Sequence, residues 1–140
     1  MPVRLSLTRR VEFRATHYLR LSDLSDAENR ERFGWTVDPH EHTYHCWVTV
    51  SGSPVPGEGT VIDLGHLDRL IHDAVVGPLD GSLLNHSLPP CASGTALPVC
   101  ETIAAWCFGR LEAELPAGIL LERVRIAEDV TLHADATRTA

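Results

Sequence analysis

The sequence has few of the features that mark membrane, secreted or nucleic-acid-binding proteins. No run approaches the roughly 18 apolar residues that a membrane helix needs, and residues 1–10 alternate charged and apolar side chains instead of forming a signal-peptide core. All 12 basic residues are arginines, they form no cluster, and the formal net charge is −7. A chain without a basic cluster does not neutralise a row of phosphates. We therefore expect a cytoplasmic protein that binds neither membrane nor nucleic acid.

Cysteine motifs are also missing. The four cysteines lack the paired spacing of cysteine metal sites, and a reducing cytosol disfavours disulfides, so we expect buried or unreactive thiols. They are Cys46, Cys91, Cys100 and Cys107. With 140 residues, 44% hydrophobic and 22% charged, the chain has the composition of a globular protein and predicts a single domain over residues 1–140.

Alternating apolar residues predict two strands in the first third of the chain. Residues 3–15 place most apolar side chains on one parity, and residues 42–50 (HTYHCWVTV) are rich in aromatic and β-branched side chains. We expect the two strands to pair. The polar, charged residues 22–32 between them predict an exposed loop or a short helix.

Two helices and two further strands complete the predicted order. The first helix is expected to begin at the capping residue Asp63 and to end before Pro78, and the second to lie between Pro98 and Pro116. Their apolar stripes are Leu67, Leu70, Ile71 and Val75 in the first, and Ile103, Trp106, Leu111 and Leu115 in the second. Residues 81–98 predict a loop, and residues 119–126 and 130–134 predict strands. The order ββααββ indicates an α+β fold, with an antiparallel sheet covered by two helices on one face.

Three of the eight histidines have positions that suit one metal ion. His40 and His42 share a strand parity, which places them about 6.6 Å apart along the backbone on one face. His17 ends the first strand on its inward parity and reaches the same site if the strands pair. Three imidazole nitrogens with an open fourth position form the geometry of catalytic zinc. From the pattern alone, ordinary strand histidines are the alternative, because H-x-H pairs are common.

Five motifs in order cover nearly the whole chain. They are FRATH at residues 13–17 with FG at 33–34 and HEHTY at 40–44, then GTVIDL at 59–64, LD to LN at 79–85, Pro98 with Glu101, and VRIAE at 124–128. Together they resemble the 6-pyruvoyl-tetrahydropterin synthase and 6-carboxy-tetrahydropterin synthase family. The resemblance implies the tunnelling fold, in which protomers join their sheets into a barrel with active sites between subunits, as trimers or as a hexamer of two trimers.

The resemblance also implies a zinc ion on His17, His40 and His42, and a ring-binding pocket that contains Glu101 and Glu128. A carboxylate of this kind accepts paired hydrogen bonds from a ring N–H and an exocyclic amino group. Without the resemblance, Glu101 is explained as a carboxylate favoured at a helix start and Glu128 as a surface charge at a strand end.

The sequence departs from the family at two proton-handling positions. Thr36 stands where the family has a catalytic cysteine, and Gly81 stands where an Asp-His pair has its histidine. A threonine hydroxyl does not replace a thiolate as base without strong activation. The candidates to compensate are Asp80, Asp38, a water whose pKa zinc lowers to around 7, and His86, which we favour. The alternative for His86 is a solvated loop histidine, because loops tolerate histidine freely.

Three functions are therefore open. The first is a zinc-dependent lyase or cyclase of the family with altered chemistry in specialised metabolism. Its reaction would be elimination, dehydration, retro-aldol cleavage or ring closure beside a zinc-bound oxygen. Its substrate would be a pterin-like molecule or another polar heterocycle or polyol. The second is a pterin lyase that acts on 7,8-dihydroneopterin triphosphate. The third is a non-catalytic relative that binds a pterin-like or purine-like ligand; the retained histidines disfavour it, since passive binding needs no open metal position.

Overall fold

The computed structural model describes residues 3–139 and places five strands in one sheet. The strands are β1 (Leu5–His17), β2 (His40–Gly52), β3 (Ser82–Leu83), β4 (Leu120–Asp129) and β5 (Leu132–Thr137). Their order in the sheet is β3-β1-β2-β4-β5. The pairs β1–β2, β2–β4 and β4–β5 are antiparallel, whereas β3 runs parallel to β1.

All the helices of the described residues lie between these strands along the chain. They are α1 (Asp26–Phe33), α2 (Leu64–Ile71), α3 (Gly77–Leu79), α4 (Leu84–Ser87), α5 (Pro89–Ala92) and α6 (Cys100–Glu114). The segment predicted as a loop or short helix is α1, which Ser25 and Glu28 begin with a reciprocal capping box. Asp63 caps α2 as predicted, by accepting the N–H of His66.

One face of the sheet carries the core. On β2 the even positions from Tyr44 to Val50 are buried, and on β1 the buried positions are Phe13, Ala15 and His17. They pack with the inward residues of the helices, among them Leu67, Ile71, Ile103, Cys107 and Leu111. The sheet therefore has one apolar face, as the alternation in the sequence predicts.

The predicted α+β architecture is confirmed, with three differences in detail. Helical structure continues through Pro78, because the chain widens into a π-helical turn (His72–Val76) in which the N–H of Gly77 bonds the carbonyl of His72. Pro78 then lies in the first turn of α3, where no N–H is needed. The predicted loop contains the short strand β3, so the sheet is not wholly antiparallel. β1 ends at His17 and β2 begins at His40, as the placement of these histidines on the strands predicts, but β2 continues to Gly52, two residues past the predicted end.

Both edges of the sheet are open in the single chain. In the described residues, β1 pairs with β3 only at Ala15 and Thr16, and β5 pairs only with β4. The sheet is not closed into a barrel. Within residues 3–139, no helix has the length and apolar character needed to cross a bilayer.

Candidate metal and substrate site

The antiparallel pairing of β1 and β2 brings the three predicted histidines together. His17 is the register partner of His40, and Ala15 is the partner of His42. Because all three side chains are on the inward parity, one ligand atom from each lies within 4.8 Å of the others. The strand ends thus form a cluster of three imidazoles where the sheet meets the helices.

Backbone carbonyls fix which ring nitrogen of two histidines is free. His17 Nδ1 lies 2.7 Å from the carbonyl oxygen of Pro98, and His40 Nδ1 lies 2.8 Å from that of Asp38. A carbonyl only accepts, so each Nδ1 carries the hydrogen and each Nε2 is left as an acceptor or metal ligand.

Two nitrogens of the cluster have no hydrogen-bond partner. The Nε2 atoms of His17 and His42 are both buried and unbonded in the described structure. Buried polar atoms are almost always satisfied, so such orphans call for a ligand. Three imidazoles with their nitrogens converging are a donor set that zinc favours, and the residues present fit that ion.

His17 is set up to be neutral. It is only 2% exposed, and burial is the largest cause that lowers the pKa of its imidazole; His40 and His42 lower it further, against the raising effects of the Pro98 hydrogen bond and the Glu128 charge. A neutral imidazole is the form that binds metal. The hydroxyl of the fully buried Tyr44 lies 3.2 Å from His17 Nδ1, so Tyr44 braces the same ring.

Glu128 lies beside the cluster at the end of β4. Its Oε2 is 3.4 Å from His42 Nε2, within ion-pair distance but not in hydrogen-bond geometry. Its Oε1 accepts from the thiol of Cys100, 3.7 Å away. Glu128 and His42 are both largely covered, with side chains 18% and 17% exposed. The predicted ring-binding carboxylate therefore borders the histidines.

Glu101 lies beside a residue of the site, whereas Asp38 contacts the histidine cluster through its backbone. Glu101 is exposed in the first turn of α6, next to Cys100. Asp38 touches the cluster through its backbone oxygen, which holds His40, while its carboxylate pairs with Arg30 at 3.2 Å. Asp38 thus contributes to the site through its main chain.

Asp80 and Gly81 dock a loop on the outer edge of β1. The Arg14 N–H donates to Asp80 Oδ1 at 2.9 Å, and the Gly81 N–H donates to the Arg14 carbonyl at 2.6 Å. Gly81 has φ +74°, in the left-handed region that favours glycine. The structure therefore gives Asp80 a backbone partner and explains why a side chain at position 81 would be strained.

The side chain of Thr36 is hydrogen-bonded within its own turn. Its hydroxyl donates to the carbonyl of Phe33 at 2.6 Å in the 3-10 turn Gly34–Val37. Trp35 in the same turn contacts the cluster, with its ring centroid 4.6 Å from that of His40. Position 36 thus holds a structural hydroxyl, beside an aromatic residue that flanks the histidines.

His86 lies on α4, outside the cluster. It is exposed and lines a cleft of about 800 Å³ together with Tyr18 and Pro98. Tyr18 follows His17 in the sequence, and the Pro98 carbonyl accepts the Nδ1 hydrogen of His17. Asn85, the residue before His86, anchors α4 by accepting the Tyr18 N–H and donating to the Tyr18 carbonyl, both at 3.0 Å. The structure therefore places His86 in a cleft that borders the site from the side of His17.

Three residues of the site were not predicted. Tyr44 shares the parity of His40 and His42, and that signal would have been enough to find it. Cys100 and Trp35 have no such signal, because each reaches the site from another element.

The fold and the site together define a class: α+β chains whose five-stranded sheet brings three histidines and a carboxylate together at its strand ends. The family model of 6-pyruvoyl tetrahydropterin synthase matches residues 6–139. The chain belongs to this family. It is 34% identical to 6-pyruvoyl tetrahydrobiopterin synthase from Homo sapiens over 124 residues, which cover 87% of this chain and 83% of the human protein. The corresponding protein of Drosophila melanogaster is 32% identical, over 87% of this chain and 73% of its own length.

Solved structures give the same result for the fold. The 6-pyruvoyl tetrahydropterin synthase of Caenorhabditis elegans has a TM-score of 0.85 and 26% identity, covering 99% of this chain and 98% of its own. The Plasmodium vivax synthase has a TM-score of 0.70 at 14% identity, covering 99% of both chains, and supports the fold alone. The chain has the tunnelling fold.

Proposed function

We propose that this protein is a zinc-dependent lyase of the pterin synthase type whose proton-handling residues differ from those of its relatives. The observation that carries the proposal is the convergence of His17, His40 and His42 within 4.8 Å, with two buried nitrogens unbonded. Zinc bound there would polarise a substrate oxygen and lower the pKa of a bound water to about 7. Family membership supports a pterin as the substrate class.

The chain's own residues would orient the substrate around that centre. Glu128 borders His42 and has the acceptor oxygens to bind a ring N–H and an exocyclic amine. The Cys100 thiol donates to one of those oxygens and would hold the carboxylate in place. Glu101, exposed one residue further along α6, is proposed as a second contact to the same ring.

Proton transfer would be carried by residues other than a cysteine at position 36. The Thr36 hydroxyl is already committed to the Phe33 carbonyl, which supports a structural role. We propose His86 as the proton carrier from the cleft beside His17, with Asp80 as an acidic candidate. The carboxylate of Asp38 is a further candidate, which would first have to leave its ion pair with Arg30. Structures of the Plasmodium vivax synthase are described as mutants of a catalytic glutamate, so a carboxylate acts as a catalytic residue in that relative.

A second candidate is the conversion of 7,8-dihydroneopterin triphosphate itself. The 34% identity to the human synthase favours it. In this case Asp80 and His86 would share the proton transfers despite the two substitutions, and a zinc ion held by the three histidines would supply an acidified water.

We also propose that the active form is a trimer or hexamer. The outer edge of β1 and that of β5 present unpaired backbone groups, and Leu5 and Leu132 on those strands are exposed. An exposed strand edge is a template for pairing with another chain. Light scattering coupled to gel filtration would test this, and a monomer at micromolar concentration would contradict it.

Metal content tests the zinc assignment. We expect one zinc per chain in the purified protein by mass spectrometry, and loss of it in His40→Ala. His133→Ala, which alters an exposed histidine away from the cluster, is the matched control. Absence of stoichiometric zinc, or full zinc in His40→Ala, would disprove the assignment.

Substrate turnover separates the two reactions. Incubation of the zinc-loaded protein with 7,8-dihydroneopterin triphosphate, followed by chromatography, would show loss of triphosphate or of the side chain if the second candidate is correct. No turnover with full zinc would exclude this reaction and leave the altered lyase reaction as the remaining proposal. Unchanged turnover in His86→Ala at full zinc occupancy would exclude His86 as the proton carrier.

A further inference from the structure

Trp35 is the large apolar side chain that the structure leaves most open beside the histidine cluster. It is 68% exposed, and its ring meets that of His40 at 4.6 Å with an interplanar angle of 62°. A single exposed apolar residue is ordinary on a protein surface. Contact with a histidine of the proposed metal site is what sets Trp35 apart, because most of the indole remains free to touch whatever binds there.

The turn that carries Trp35 is held firmly. Gly34 enters it with φ +62°, and the Asp38 N–H closes it by donating to the Trp35 carbonyl at 3.1 Å. The next carbonyl, that of Thr36, accepts the Leu19 N–H at 2.9 Å. Trp35 is therefore presented by a rigid element, which is what a substrate-contacting side chain requires.

Trp35 and Glu128 flank different histidines. Trp35 contacts His40, Glu128 lies 3.4 Å from His42, and the rings of His40 and His42 are 5.0 Å apart. Along this series of contacts the indole adjoins His40 and the carboxylate adjoins His42. A ring bound at Glu128 would therefore leave its substituent as the part of the ligand suited to reach the indole.

We propose that Trp35 is a specificity-determining residue that packs its indole against the hydroxylated side chain of the substrate. The inference rests on the proposed function, since it assumes a ring bound at Glu128 and oxygens bound at the histidines. The indole would cover the C–H groups of that side chain and exclude water from the reacting carbons. It would contribute affinity only for ligands that carry the side chain.

Two simple probes test this by isothermal titration calorimetry with the zinc-loaded protein. Neopterin carries a trihydroxypropyl side chain, whereas pterin has the same ring without it. We expect Trp35→Ala to weaken neopterin binding about three- to tenfold, the range for loss of one aromatic contact, and to leave pterin binding unchanged. Trp35→Phe should restore most of the affinity. Trp106→Phe, which alters a tryptophan on α6 that packs under Arg110, is the control and should change neither.

The outcomes distinguish this inference from the function beneath it. Equal neopterin affinity in wild type and Trp35→Ala, with binding lost in Glu128→Ala, would overturn the role of Trp35 alone. Equal losses for neopterin and pterin in Trp35→Ala would also overturn it, because the contact would then be to the ring. Binding of neither probe by the wild type would overturn the pterin assignment and this inference together. A changed oligomer size in Trp35→Ala with unchanged affinity would assign the indole to a subunit contact instead.

Discussion

The imidazole of His17 donates its Nδ1 hydrogen to the carbonyl of Pro98, 2.7 Å away and 81 residues later in the sequence. This bond ties the end of β1 to the residue that precedes α6 by two positions. It sets the tautomer of His17 and leaves Nε2 facing His40 and His42. Cys100 follows Pro98 by two positions on the same chain segment. The helix start and the histidine cluster are therefore one structural unit.

Acidification should destabilise the metal-free protein through His17. The unfolded chain binds a proton at this imidazole with a pKa of about 6.5, and burial lowers the pKa in the folded state. The unfolded state thus binds more protons below about pH 6.5. The stability that the neutral His17 imidazole contributes is therefore fully present above that pH and is lost as the pH falls toward the folded pKa. We expect a lower urea midpoint at pH 5.5 than at pH 7.5. The difference should shrink in His17→Gln and persist in His133→Gln; an equal difference in all three proteins would refute the assignment.

Removal of the Tyr44 hydroxyl should loosen the metal site more than the fold. Tyr44→Phe keeps the ring stacked on Phe13 at 5.2 Å and removes the oxygen that lies 3.2 Å from His17 Nδ1. We expect a loss of about 1 kcal/mol in the free energy of unfolding and a roughly tenfold weaker zinc affinity in chelator competition. Tyr18→Phe is the control. Unchanged zinc affinity would mean that the Pro98 carbonyl alone orients the ring.

The histidine cluster could be predicted from sequence because it depends on strand periodicity. Side chains alternate along a strand, so His40 and His42 had to share a face, and an antiparallel partner that ended at His17 had to bring the third imidazole opposite. Local patterns fix these relationships, and the same patterns indicated the α+β order and the capped start of α2.

The contacts that complete the site depend on long-range packing, which periodicity does not encode. Nothing near Cys100 in the sequence indicates that its thiol meets Glu128 on β4. The passage of helical structure through Pro78 likewise depends on a widened turn that a proline rule does not anticipate. The parallel strand β3 is only two residues long, too short to show an alternation.

The thiol in the site should be unreactive. Burial, followed by the charge of Glu128, raises the pKa of Cys100 to about 12, and the residue is 1% exposed. Cys91 is half-buried, and burial raises its pKa to about 11. At pH 8 we expect iodoacetamide to label Cys91 first and to reach Cys100 only after denaturation, as followed by peptide mass spectrometry. Rapid labelling of Cys100 in the native protein would contradict this and would make it a candidate nucleophile or base.

A histidine at position 81, which the family resemblance predicts there, should destabilise the protein. Gly81 has φ +74°, and no heavy atom lies within 4 Å of the point that a Cβ would occupy, so the penalty for Gly81→His is conformational and not steric. A non-glycine residue in this region costs about 1–2 kcal/mol, which urea unfolding would measure. Gly81→Asn is the matched control, because asparagine tolerates the left-handed region better and should lose less. If Gly81→His is as stable as the wild type, the turn can adopt a second conformation. Glycine at position 81 would then be explained by the chemistry of the reaction and not by the backbone conformation.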